Sequence, residues 1–173
     1  MAEPLMTEQQ GLKMEYEVLR QEVLRRIEMR SQIALATLTF AGVTLGVGLS
    51  TPAVALIFPV IGLFLAIGWI QHDARVREIT TYIRDNIEGK IAGLGWEAHR
   101  QRRVHKSTRL GGARLSVLSA AGLFLVCQSM AIVIGLSKAP AFTLLEWGLA
   151  ALSGVVILLT LVLFNRARRG SRA

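Results

Sequence analysis

The side chains in this chain best suited to chemistry are three histidines, one cysteine and a run of arginines. His72, His99 and His105 have no i, i+4 spacing and no cysteine partner, so they lack the pattern of a zinc site. Cys127 has no cation beside it in the sequence to lower its pKa, and it reads as inert core. Serine and threonine are abundant, but no G-x-S-x-G turn appears. The stretch "GLGWE", Gly93 to Glu97, lacks the third glycine and the preceding strand of a dinucleotide loop. It reads as a turn before a short basic helix. No paired carboxylates lie in or near the apolar runs. These residues predict no catalytic, cofactor-binding or metal site, and hence a protein that is not an enzyme.

The arginine run is "EAHRQRRVHKSTR", Glu97 to Arg109. It holds Arg100, Arg102, Arg103, Lys106 and Arg109. Beyond Trp96 no aromatic residue is interleaved for base stacking, so nucleic acid is not the expected partner. The expected contact is with anionic lipid headgroups, where each base near the surface contributes about 1 kcal/mol.

The elements that position these residues follow from where charge is missing. The chain has 173 residues, 52% hydrophobic and only 18% charged, with a mean hydropathy of +0.45. No Asp, Glu, Lys or Arg occurs from Ser31 to His72, from Leu115 to Ser137, or from Trp147 to Asn165. Runs of about 20 apolar residues read as membrane-spanning helices. In lipid every backbone polar group needs an internal partner, so such runs are helical. The first run is long enough for two spans, divided at "GLSTPAV" (Gly48 to Val54), where Ser50 or Thr51 could cap a helix beginning at Pro52. The spans are expected near 31–50, 53–71, 114–136 and from "TLLE" to about 165. Thr143 and Glu146 have the spacing of a capping box.

The expected fold is therefore all-α and integral to the membrane: four transmembrane helices arranged as two hairpins. The organisation reads as a cytoplasmic amphipathic helix (1–30), a first hairpin (31–71), a second amphipathic helix with the basic segment (72–113), a second hairpin (114–165) and a basic tail (166–173). The first 30 residues carry six acids and five bases, which does not suit a cleaved signal peptide.

The net charge is +8, and 19 of the 20 Lys and Arg fall in the first, central and last polar segments; the two short connections between them hold only Lys138. The positive-inside bias places both termini and the central segment in the cytoplasm, as expected for a multi-pass protein of the inner membrane.

Upstream of the first span, apolar residues recur at Leu12, Tyr16, Leu19, Val23 and Ile27; after the second they recur at Val76, Ile79, Ile83 and Ile87. Both are helical stripes that run into a span without interruption. The two helices are expected to continue from the membrane as a stalk, from about residue 5 to 49 and from about 53 to 88, with a kink at Pro59. At 1.5 Å per residue they would measure roughly 67 and 54 Å, far more than the bilayer needs. The antiparallel register sums to about 102, which sets Val23 by Ile79 and Leu19 by Ile83. It also sets Glu28 by Arg75 and Arg77, and Arg25 and Arg26 by Asp73 and Glu78.

The first span carries a face of small residues: Ala34, Thr37, Ala41, Thr44 and Gly48. Spans associate by close packing, which small residues permit. This face is expected either to pack, within one chain or between copies, or to line a narrow polar pathway in a homo-oligomer. No Asp, Glu, Lys or Arg lies within a span, which argues against a proton- or ion-coupled pump.

The stretches "YEVLRQEVLRRIEMRSQIALATLTFAG" and "PVIGLFLAIGWIQHDARVREITTYI" resemble the SLATT-type proteins, small bacterial membrane effectors of nucleotide-signalled defence systems. The resemblance lies in the plan of cytoplasmic helix, membrane hairpin and returning amphipathic helix. A second hairpin departs from it. What it implies is membrane-perturbing activity. Two functions follow: an oligomeric pore or membrane-perturbing effector gated through the stalk, or a membrane anchor or scaffold that docks a cytoplasmic protein partner.

Overall fold

The computed structural model describes residues 8–91, 95–97, 99, 112–137 and 143–170. The described residues contain helices and turns and no strand. Helix α1 covers Glu8–Gly48, α2 Pro52–Ala55 and α3 Phe58–Tyr82, which continues as a π-helical turn Ile83–Glu88; α4 covers Gly112–Leu136 and α5 Leu144–Gly170. Four helical stretches are long and apolar enough to cross a membrane: Glu8–Gly48, Pro52–Glu88, Leu115–Leu136 and Leu144–Arg169. The protein is an all-α membrane protein of four spans.

The helix ends follow from their residues. Pro52 opens α2, where a missing N–H does no harm. The Thr51 side chain makes no capping bond, however, and Ser50 Oγ donates instead to the Val47 carbonyl at 3.0 Å, so neither residue caps α2 as expected. Thr51 sits at φ −125° and ψ 85°, away from the usual cap geometry. At α5 the capping box does form. The Thr143 backbone N–H donates to Glu146 Oε2 at 2.7 Å, and the Glu146 N–H reaches Thr143 Oγ1 at a longer 3.4 Å.

The second span is broken rather than merely kinked. Pro59 has no N–H for the carbonyl of Ala55, so the α-helical ladder cannot pass through this point. The chain turns at Leu56 and Ile57. Here Ile57 N–H donates to Val54 at 3.2 Å and Val60 N–H to Ile57 at 3.2 Å, three-residue steps in place of four.

The chain forms two compact units, residues 1–29 with 72–111 and residues 30–71 with 112–173. Eleven of the twelve acids belong to the first unit; Glu146 alone belongs to the second.

In the charge-rich unit, Val23, Val76, Ile83 and Ile87 form the buried apolar positions. Of the expected seam, Leu19 and Ile79 are half-buried beside them. The cross-helix contacts differ from the expected charge pairing. Arg26 binds Glu22 on its own helix at 2.6 Å and approaches His72 Nδ1 at 3.4 Å, rather than meeting Asp73 or Glu78. Arg75 binds Glu78 at 2.7 Å, and Arg77 binds Asp73 at 2.8 Å. Neighbours at i, i+3 and i, i+4 on one helix meet without any demand on register, and so they claim these charges first. Tyr82 donates to Glu15 at 2.8 Å. This bond, followed by the carboxylate's charge, raises the Tyr82 pKa above its ordinary 10 and keeps the hydroxyl a donor. The Tyr82–Glu15 and Arg26–His72 contacts are cross-helix pairs that the charge pattern did not name.

The membrane unit has two apolar clusters. One joins Ala66, Trp69, Val117, Ala120, Phe124 and Phe164. The other joins Ala41, Phe58, Cys127 and Ala131. Large apolar side chains elsewhere on the spans face outward, among them Leu35, Val43, Phe64, Val133 and Leu158. That is the arrangement a lipid solvent calls for, since leucine is as comfortable in lipid as in a core.

Candidate functional site

The polar residues of the spans come together at the break in the second span. Because Val60 bonds to Ile57, the Leu56 carbonyl loses its usual helical donor. Ser153 on α5 supplies one: its hydroxyl lies 2.9 Å from the Leu56 oxygen and 2.8 Å from its own Leu149 carbonyl. One turn on, Gln128 of α4 donates through Nε2 to the Pro59 carbonyl at 3.3 Å and to Thr160 Oγ1 at 3.2 Å. Thr160 in turn donates to the Val156 carbonyl at 2.9 Å. Gln128, Ser153 and Thr160 are each fully buried.

This seam ties three spans together through groups that lipid cannot satisfy. Its neighbours are shaped to fit. Gly62 lies against Gln128, and a β-carbon there would fall 2.9 Å from Nε2. Gly135 gives room for the Leu56 side chain, which a β-carbon would overlap. Gln128 Oε1 is buried without a hydrogen-bond partner. The seam is built of neutral groups that bond helix to helix and side chain to backbone.

The small face of α1 lies inward within a single chain. Thr37 is fully buried, Ala41 4% exposed and Gly48 buried, while Ala34 and Thr44 are half-buried; Val43 on the other side is 61% exposed. Gly48 meets Ala55, whose Cβ would stand 2.7 Å from a Cβ at position 48. Both threonine hydroxyls turn back to their own helix, Thr37 to Ile33 at 2.8 Å and Thr44 to Phe40 at 2.7 Å. A second small pair, Gly42 and Gly46, is exposed, with nothing within 4 Å of a β-carbon at either.

At one end of the same unit, the Arg30 guanidinium lies 4.9 Å over the Trp69 ring and donates through Nη2 to Ser116 Oγ at 3.2 Å. Trp69 packs on Phe164 at 6.0 Å between centroids, and Phe164 on Phe124 at 5.7 Å.

In the charge-rich unit, Glu97 is 3% exposed, binds Arg20 at 2.7 Å and offers its N–H to Glu88 Oε1 at 2.8 Å. Trp96 stacks on His99 at 6.4 Å. Arg100, Arg102, Arg103, Lys106 and Arg109 lie outside the described residues, as do Gly93, Leu94 and His105. Among the described residues no group of three His, Cys, Asp or Glu is placed to hold a metal ion.

Gln128, Ser153 and Thr160 were not singled out from the sequence. A signal was available: Gln128 is the one amide side chain between Leu115 and Leu136, and Ser153 and Thr160 stand seven apart, two turns, on one face. Their partner could not be read, because it is backbone freed by a distant proline.

No family model, curated protein or solved structure matches this chain.

Proposed function

We propose that the protein is a non-enzymatic membrane anchor or scaffold. Its four spans hold a charged helical unit in the cytoplasm, where it docks a protein partner. The observation that carries this reading is the surface of α1 in the charge-rich unit, where Met14 and Val18, one turn apart, each stand 59% exposed. Apolar side chains grouped on a water-side helix mark an interaction surface. The burial of Thr37 and Ala41 supports the same reading, since side chains packed against their own chain do not line a pathway. Both termini lie in the cytoplasm by the charge bias, and the inner membrane is the proposed site. The open Gly42 and Gly46 pair supports assembly of copies through α1.

The second reading is a pore or membrane-perturbing effector of the kind the SLATT resemblance implies. It is favoured by the buried seam at the broken span, because irregular backbone at membrane depth is tolerated where protein or a cavity lines it.

Ion flux from liposomes holding the purified protein, together with growth on overexpression, separates the two. The scaffold gives neither flux nor arrest. Flux with arrest establishes the effector and removes the scaffold reading.

A further inference from the structure

Within the charge-rich unit, Gly11, Met14 and Val18 of α1 follow one another at steps of three and four, so they share one side of the helix. Met14 and Val18 are each 59% exposed, and nothing lies within 4 Å of a β-carbon at Gly11. The missing side chain leaves room for another backbone to come close beside the two that stand out. Gln21 and Arg25 continue the same side as exposed polar residues, so the apolar patch ends at Val18. Helical geometry puts Glu17 on one flank of the patch and Glu15 and Glu22 on the other. Glu17 is exposed. Glu15 accepts from the neutral Tyr82 hydroxyl at 2.8 Å and so keeps its charge, while Glu22 is offset by Arg26 at 2.6 Å. Lys13 lies further round the helix than Glu17, away from Met14 and Val18.

We infer that this patch docks a basic amphipathic helix of a cytoplasmic protein. The inference rests on the scaffold reading and names the chemistry of its partner. An apolar strip about a turn long, open at Gly11, takes the anchors that a helix presents at i, i+3 and i+4. The rim selects the charge. Lysine or arginine beside those anchors meets Glu17 on one flank and Glu15 on the other, which steers encounter and suppresses acidic partners. A second copy of this chain does not fit the rim. In a parallel pairing along the strip, Glu17 of one copy would face Glu22 of the other; in an antiparallel pairing, Glu17 would face its own counterpart. Like charges opposed across an interface disfavour both arrangements. An anionic lipid surface is repelled by the same carboxylates. The occupant that satisfies patch and rim together is a helix whose apolar stripe runs between basic flanks, and its binding weakens as salt rises.

Two designed helices are the probes. They share one leucine stripe and differ in its flanks, lysine in one and glutamate in the other. The full chain is held in nanodiscs of phosphatidylcholine, and binding is read by fluorescence anisotropy above the level of empty discs. Uptake of a probe by the lipid is the same for every variant, so differences between variants report the protein surface. The lysine helix is expected to bind and the glutamate helix not. Glu17→Lys should weaken the lysine helix about tenfold, some 1.4 kcal/mol, and Val18→Asn should weaken it by removing an anchor. Both positions are exposed, so the variants keep the fold. Binding of neither helix above empty discs, or no change on Val18→Asn, overturns the docking surface. Equal binding of the two helices, or no change on Glu17→Lys, overturns the basic partner and leaves the scaffold reading standing. Ready disulfide formation between copies of a Val18→Cys chain overturns it too, by putting a second copy on the patch. The scaffold reading itself fails on a different measurement, ion flux from liposomes, so the two failures are distinguishable.

Discussion

Ser153 on α5 and Leu56 in the second span lie 97 residues apart in sequence and are joined by a 2.9 Å hydrogen bond from hydroxyl to carbonyl. The bond exists because the second span breaks. Proline removes one donor, the next N–H shifts to a three-residue step, and the Leu56 oxygen is left to find a partner inside the membrane unit. A break and its repair thus sit on different helices, and the repair fixes how those helices meet.

Ser153→Ala removes the repair and leaves a buried carbonyl in an apolar setting. Hydrogen bonds between membrane helices average about 0.6 kcal/mol and reach about 1.7. The expected loss is toward the upper value, because no water can take the place of the hydroxyl. Reversible unfolding in mixed micelles measures it; a variant as stable as the parent would show that the Leu56 carbonyl is satisfied without Ser153.

Gly62 and Gln128 should be energetically coupled. Gly62→Ala puts a β-carbon 2.9 Å from Nε2, so the amide must shift away from the Pro59 carbonyl and Thr160. In a background that already lacks the amide, Gln128→Ala, the same change should cost little. A double-mutant cycle should give a coupling within the 0.5–3 kcal/mol typical of contacting residues. Additive effects would place the two side chains out of contact.

Ala41→Leu and Val43→Leu test the two sides of the first span. Ala41 is 4% exposed among Phe58, Cys127 and Ala131, whereas Val43 is 61% exposed. Overpacking at position 41 should cost about 1–3 kcal/mol. At position 43 leucine exchanges one lipid-compatible side chain for another, and stability should not change. Thermal melting in detergent compares them directly. Thr44→Val adds a functional arm: in liposomes its effect on any flux should do no more than follow stability, since its hydroxyl is bonded to Phe40.

Topology has its own check. A cysteine at Ser50, in the exposed turn between α1 and α2, should react with an impermeant thiol reagent added outside the cell. A cysteine at Tyr82, 43% exposed, should react only after the membrane is opened. The reverse pattern would invert the orientation that the lysine and arginine bias sets.

Several features were decided by the sequence alone. The number of spans follows from three charge-free runs and one proline-bearing turn, because a charge in hydrocarbon is costly wherever the rest of the chain goes. The capping box at Thr143 and Glu146 is likewise local chemistry, and it forms as read. The partition into a charge-rich and a charge-poor unit is carried in the order of residues. What neighbours do to one another was settled only in three dimensions. The sequence marks Ala34, Thr37, Ala41, Thr44 and Gly48 as one small face, but only packing turns that face toward its own chain, because a periodicity defines a side and not its partner. The charges expected to pair between the charge-rich helices pair instead within one helix, since exposed ion pairs are weak and near neighbours on one helix meet first. Gln128, Ser153 and Thr160 acquire meaning only when folding brings them to the backbone that Pro59 leaves open. A broken helix announces its missing donor in sequence, but the side chain that replaces the donor is chosen by the tertiary structure.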